Sequence, residues 1–134
     1  MVSFFILIFA LKRNNVSVMA EVIRHEGELL RINYRMNSIE FSVDEGLYWD
    51  VRSITHGVGR FIDLLSFNGL VFACTSRGLY YSNNAGNSWQ LRCLNSTIGE
   101  FDSLSSDGFE MQAKTTRGRF YSVDNGRTWH RQRR

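Results

Sequence analysis

Three stretches decide how this chain reads: residues 41–49 (FSVDEGLYW), 81–89 (YSNNAGNSW) and 121–129 (YSVDNGRTW). They contain the only three tryptophans, Trp49, Trp89 and Trp129, at a spacing of 40 and 40. Ser42, Ser82 and Ser122 keep that period, as do Gly46, Gly86 and Gly126. Three positions agreeing three times at one period mark an internal repeat, and such a repeat sets the architecture before any local reading. Each window reads as a turn. A short Asp or Asn side chain, Asp44, Asn84 or Asp124, accepts backbone N–H bonds within its own turn. The glycine supplies the backbone freedom that a tight turn needs. The tryptophan opens the next strand, with its ring between neighbouring units and its indole N–H directed at a carbonyl.

Outward from the windows, the flanking segments align as well. In the middle unit, strands are expected at 61–67, 70–75, 79–82 and 89–94, broken at Asn68-Gly69, Arg77-Gly78 and 83–88. Asn-Gly between two apolar runs signals a hairpin. Strand-like runs at 16–24 and 100–105 open the other two units. No segment sustains a helical period, so no helix is expected. The chain has no proline, which suits many paired strands. The expected fold is all-β: three four-stranded antiparallel units at about 16–56, 57–97 and 98–134, behind an apolar segment at 1–15.

These windows resemble the Asp-box, or BNR repeat, S-x-D-x-G-x-[S/T]-W, which sialidases and other Asp-box β-propellers carry once per blade. Ser122, Asp124, Gly126, Thr128 and Trp129 match it fully. The first window has Tyr48 at the Ser/Thr position, and the second has Asn84 where the family has Asp. The resemblance covers residues 16–134 and implies propeller-like blades. Three blades do not close a ring, since propellers have about 4–8. A half-propeller completed to six blades by a homodimer is therefore the expected assembly, with a closed three-unit prism as the other solution. Turn chemistry accounts for all the window residues, Ser42, Asp44, Gly46 and Trp49 with their counterparts. Their carboxylates are too few for calcium, so no metal and no cofactor is expected.

Alternating turns place the 2–3 turns and the inter-unit connections together at the end opposite the windows. That end carries Asn37, Arg77 and Arg117 at equivalent positions, with Arg60 and His56 in a connection. In propellers the connection-rich face holds the ligand, so the resemblance points there. These side chains form a cationic rim suited to carboxylate or phosphate. The expected function is a non-catalytic binding module for a protein or a small anionic ligand. The alternative is a sialidase-like carbohydrate-active protein. Against it, the Arg-Ile-Pro signature of that family is absent, and Asp63, Asp102 and Glu100 are the only acids placed for a glycosidase pair.

Net charge is +3, and it is uneven. The last 18 residues hold six arginines against Asp124 alone. No nucleic-acid motif accompanies them, so a solvated end is expected rather than a nucleic-acid partner. The histidines His25, His56 and His130 have no metal spacing. Cys74 and Cys93 fall on the second and fourth strands of one unit, about 9–10 Å apart across the third, too far for a disulfide. Free buried thiols favour a reducing, cytoplasmic compartment. Residues 4–11 (FFILIFAL) are too short to span a membrane as a helix. They read as a buried strand, as an extension upstream of a start at Met19, or, with secretion as the consequence, as the core of a signal peptide within residues 1–20.

Overall fold

In the computed structural model, residues 22–132 are described, so the apolar run at 4–11 and the last two arginines lie outside the described residues. Three antiparallel sheets follow one another along the chain, each a four-stranded meander. The first contains β1 (Val22–His25), β2 (Glu28–Asn33), β3 (Ser38–Ser42) and β4 (Asp50–Ile54). The second contains β5 (Phe61–Phe67), β6 (Leu70–Thr75), β7 (Gly78–Ser82) and β8 (Gln90–Leu94). The third contains β9 (Phe101–Ser106), β10 (Met111–Thr115), β11 (Gly118–Ser122) and β12 (His130–Arg131). Among the described residues the expected strands are present, with the fourth of each sheet starting just after the tryptophan; of the run expected at 16–24, residues 16–21 lie outside the described residues. One expectation fails: Asn95–Ile98 forms a single helical turn, α1. Four residues carry no helical periodicity, and no side chain caps the turn, so nothing local announced it.

Each sheet is a blade that packs on its neighbour, most closely along the first strands β1, β5 and β9. Strand periodicity of two then decides which side chains enter which seam. In β6, Val71 and Ala73 face the first blade while Phe72 and Cys74 face the third. All four are fully buried, because this blade is covered on both faces. The seam between blades 1 and 2 adds Leu30, Ile32, Ile39, Phe61, Leu64 and Tyr80. The seam between blades 2 and 3 adds Leu79, Phe101, Leu104, Met111, Ala113 and Phe120. Cys74 and Cys93 are free and buried, as read from the strand order, and burial holds the Cys74 thiol well above its ordinary pKa.

The two end faces break this pattern. By register, the positions of Ala73 and Tyr80 in blade 1 are Arg31 and Glu40. These form a salt bridge at 2.8 Å, Asn33 donates to the same carboxylate, and the Arg31 guanidinium covers Trp49 at 4.0 Å. Burial works against the Glu40 carboxylate, yet the bonds from Asn33 and Arg31 still pull its pKa down. In blade 3, Gln112, Lys114 and Arg119 occupy the positions of Phe72, Cys74 and Leu79. Arg31, Asn33 and Glu40 on blade 1 and Gln112, Lys114 and Arg119 on blade 3 thus put polar side chains where the inner faces are apolar, while Leu29, at the position of Val71, remains buried.

The windows are built alike. In the first, the amides of Asp44 and Gly46 donate to Ser42 Oγ at 3.3 and 2.8 Å, and the Tyr48 amide donates to Asp44 Oδ1 at 3.0 Å. Asn84 and Asp124 repeat the arrangement with Ser88 and Thr128. Glu45-Gly46, Ala85-Gly86 and Asn125-Gly126 all have positive φ, the backbone of a type I′ turn. Trp49 and Trp129 donate to the carbonyls of Gly46 and Gly126, while Trp89 reaches Ser53 Oγ of blade 1 at 3.5 Å.

Candidate interaction surface

The 2–3 turns and both inter-blade connections lie together at the end opposite the windows, as the topology requires. There a short sequence, Thr75-Ser-Arg-Gly78 and again Thr115-Thr-Arg-Gly118, fastens each connection to the blade it enters. The hydroxyls of Thr75 and Thr115, both buried, donate to the carbonyls of Val58 and Ile98. Ser76 and Thr116 accept the amides of Arg60 and Glu100 on their side chains. Arg77 and Arg117 then donate through Nη1 to the carbonyls of Gly57 and Ser96 at 3.0 and 3.4 Å. Gly59 (φ 88°) and Gly99 (φ 98°) sit directly against this clamp. A Cβ on Gly59 would lie 2.6 Å from Ser76 Oγ and 2.9 Å from Arg77 Cγ, and on Gly99 2.7 Å from Thr116 Oγ1 and 3.0 Å from Arg117 Cγ.

The clamp is legible in the sequence, since Thr75/Thr115 and Arg77/Arg117 keep the 40-residue period. It places Arg77 and Arg117 at one level on adjacent blades, exposed, each with donors beyond the one bonded to a carbonyl. Arg131, by sequence one of the arginines of the charged tail, joins them by donating to the carbonyl of Arg117 at 2.7 Å. Arg60 and His56 are exposed in the first connection. Asn37 sits at the matching turn of blade 1, but its amide is engaged: it donates to the Gly59 carbonyl at 3.1 Å and accepts the Phe61 amide at 2.9 Å. Its geometry is that of a fastener between blades.

Of the other singled-out polar groups, Asp63 and His25 hold blades together. Asp63 accepts the amides of Leu104 and Leu64, tying blade 2 to blade 3. Asp102 is exposed beside Lys114 at 3.7 Å, and Glu100 is exposed at the end of a connection. Buried His25 bonds Ser66 across the first seam at 2.7 Å. His130 stacks against Tyr121 with ring centroids 5.4 Å apart. Among the described residues, no group of three or more His, Cys, Asp or Glu is placed to hold a metal ion, and no helix is long and apolar enough to cross a membrane.

At the window end, a groove of about 630 Å³ opens between blades 2 and 3. Its lining includes Leu65, Phe67, Asn68, Phe109, Val123 and Asn125, and Phe109 is 89% exposed. Sequence reading missed it, because it forms where the β5–β6 and β9–β10 turns meet the third window.

Neither a protein-family model nor a curated protein matches this sequence. Solved structures do. A structure of YCF48 bound to D1 peptide is similar with a TM-score of 0.62 and 16% identity, over 83% of this chain and 42% of that one. YCF48 from Cyanidioschyzon merolae is similar with a TM-score of 0.61 and 21% identity, over 84% of this chain and 42% of that one. The chain spans about two fifths of the length of each. At these identities the likeness concerns fold, and it agrees with the sheet order and seams above: the three sheets are blades of β-propeller type.

Proposed function

We propose that the chain is a non-catalytic interaction module that binds an anionic group of a protein or a small ligand at its loop end, through Arg77 and Arg117 with Arg60 and His56 beside them. The observation that carries this reading is the repeated clamp. It fixes two guanidinium groups at equivalent heights on neighbouring blades, so little side-chain freedom is lost when they engage a carboxylate or phosphate. The structure of YCF48 with a peptide adds support, as a similar fold that receives a protein segment. Asn37 takes a positioning role in this reading. The bonding within the windows supports reading them as Asp-boxes that fold the blades and stand apart from the ligand.

Closing a six-bladed ring with a second copy would bring Arg31, Asn33 and Glu40 of one copy against Gln112, Lys114 and Arg119 of the other. Such a seam is polar, unlike the two internal ones, and the module acts through its loop end without it. Light scattering coupled to size exclusion reads the assembly directly.

The binding reading is tested with an array of acidic and phosphorylated peptides that carry no apolar side chain, probed by the full chain. Arg77→Ala with Arg117→Ala should remove binding to the retained peptides while the circular dichroism spectrum is kept. Retention of binding by that folded double variant would overturn the assignment.

A further inference from the structure

The two seams contain the same arginine in two different circumstances. Arg52 and Arg92 are each the extra residue of a β-bulge in the fourth strand of their blade, between paired residues 51 and 53 and between 91 and 93. A bulge re-aims a side chain, and here both guanidinium groups turn over the ring of the third strand, Phe41 at 3.8 Å and Tyr81 at 3.9 Å. Arg52 is then fully engaged. It makes a bidentate pair with Glu28 at 2.7 and 2.9 Å and donates to the carbonyl of Ala85 in the next blade's window.

Arg92 has none of these partners. The position of Glu28 is Leu70 in blade 2, one residue before Val71 as Glu28 is before Leu29. Among the described residues the Arg92 side chain makes no hydrogen bond or ion pair, and its Nε is buried without a partner. Arg127 of the third window adds a second positive charge nearby; burial first, and this repulsion second, lower the Arg92 pKa. Asp124, whose charge acts on Arg92, is occupied by Ser122 and Thr128. The groove lined by Leu65, Phe67, Phe109 and Val123 opens on the same seam at the same end.

We propose that this end of the second seam is a docking surface for an acidic segment of a partner protein, whose carboxylate engages Arg92 and Arg127 while a neighbouring apolar side chain enters the groove. The carboxylate does from outside what Glu28 does for Arg52 from within the chain. Charge-assisted bidentate bonds of this kind are the strong ones, and a half-buried guanidinium lacking an acid has most to gain from them. This surface lies at the opposite end from Arg77 and Arg117 and does not depend on them.

The test uses fluorescence anisotropy with two labelled peptides on the full chain: phenylalanine flanked by glutamates, and the same peptide with glutamines. The glutamate peptide is expected to bind about tenfold tighter or more, a difference that one charge-assisted pair supplies. Leu70→Glu places the missing carboxylate inside the chain, and Arg92→Gln removes the charge. Either should erase the preference for glutamate, and the Leu70→Glu chain should remain folded by circular dichroism, as blade 1 does with Glu28. Arg77→Ala with Arg117→Ala should leave the preference intact. Equal binding of the two peptides, no binding of either, or an unchanged preference in folded Leu70→Glu overturns the proposal. Loss of the preference only in the Arg77/Arg117 variant assigns it to the loop end and likewise overturns it.

Discussion

The seam between blades 1 and 2 and the seam between blades 2 and 3 share one geometry and hold it by different chemistry. The first is laced with polar fasteners: Arg52 to Glu28 and Ala85, His25 to Ser66, and Asn37 to Gly59 and Phe61. The second relies more on bulk, with Phe72, Leu79, Phe101, Leu104, Met111 and Phe120 interleaved, and with Asp63 and the Asn68–Asn125 bond among its polar ties. Register and bulge position place an arginine at the same point in both. The residue at the start of the second strand, glutamate or leucine, gives Arg52 an acid within the chain that Arg92 lacks.

The largest effect that tests this contrast is truncation in the apolar seam. Phe72 is fully buried, and Phe72→Ala should cost about 3–5 kcal/mol in urea unfolding. A cost under half of that would mean the second seam is not held by packing. Next comes the arginine pair, compared by substituting Met, which keeps the stem over the ring. Arg52→Met should cost about 2 kcal/mol, because it strands the carboxylate of a pair whose arginine side chain is only 10% exposed. Arg92→Met should change stability by no more than about 0.5 kcal/mol. Equal costs would erase the distinction between the seams.

A smaller effect separates the windows that enter the two seams. Asp124 is held at about 2 by the Thr128 hydroxyl and amide and by Ser122, whereas Asn84 does not titrate. In the unfolded chain Asp124 returns to its ordinary 3.8, so its contribution is complete above that pH and is lost as pH falls toward 2. Asp124→Asn should therefore flatten the acid limb of the stability profile between those values, and Asn84→Asp should steepen it. The smallest effect concerns Ala85, at φ 60° where blade 3 has Asn125 at φ 63°. Ala85→Asn should stabilise by about 0.5–1 kcal/mol, since Asn tolerates that backbone better. A loss in thermal unfolding would show that the Arg52 contact depends on alanine there.

The strands and windows were legible because their signals are local: a tryptophan after a turn, Asn-Gly between apolar runs, and a 40-residue period. The two-sided burial of β6 also shows in its continuous apolar run, 70–74. Less legible was everything fixed by partners distant in sequence. Arg31 and Glu40 read as ordinary polar strand residues until register sets them where blade 2 has Ala73 and Tyr80. The difference between Arg52 and Arg92 requires knowing that residue 28 and residue 70 are equivalent. The loop-end arginines were singled out from the alternation of turns, but Asn37 could not be told from them, because its partners belong to the connection into the next blade.

The polar side chains on the outer faces of blades 1 and 3 bear on what can pack against them. Blades that offer one face and accept another form a head-to-tail series, and repeated between molecules such a contact gives open-ended fibres rather than closed assemblies. An apolar first face on one molecule would fit an apolar last face on the next as well as Leu30 and Ile39 fit Val71 and Tyr80. Arg31 and Glu40 at one end, and Lys114 and Arg119 at the other, make that addition costly. Charges that contribute little to either internal seam thus restrict which surfaces blades 1 and 3 accept as neighbours.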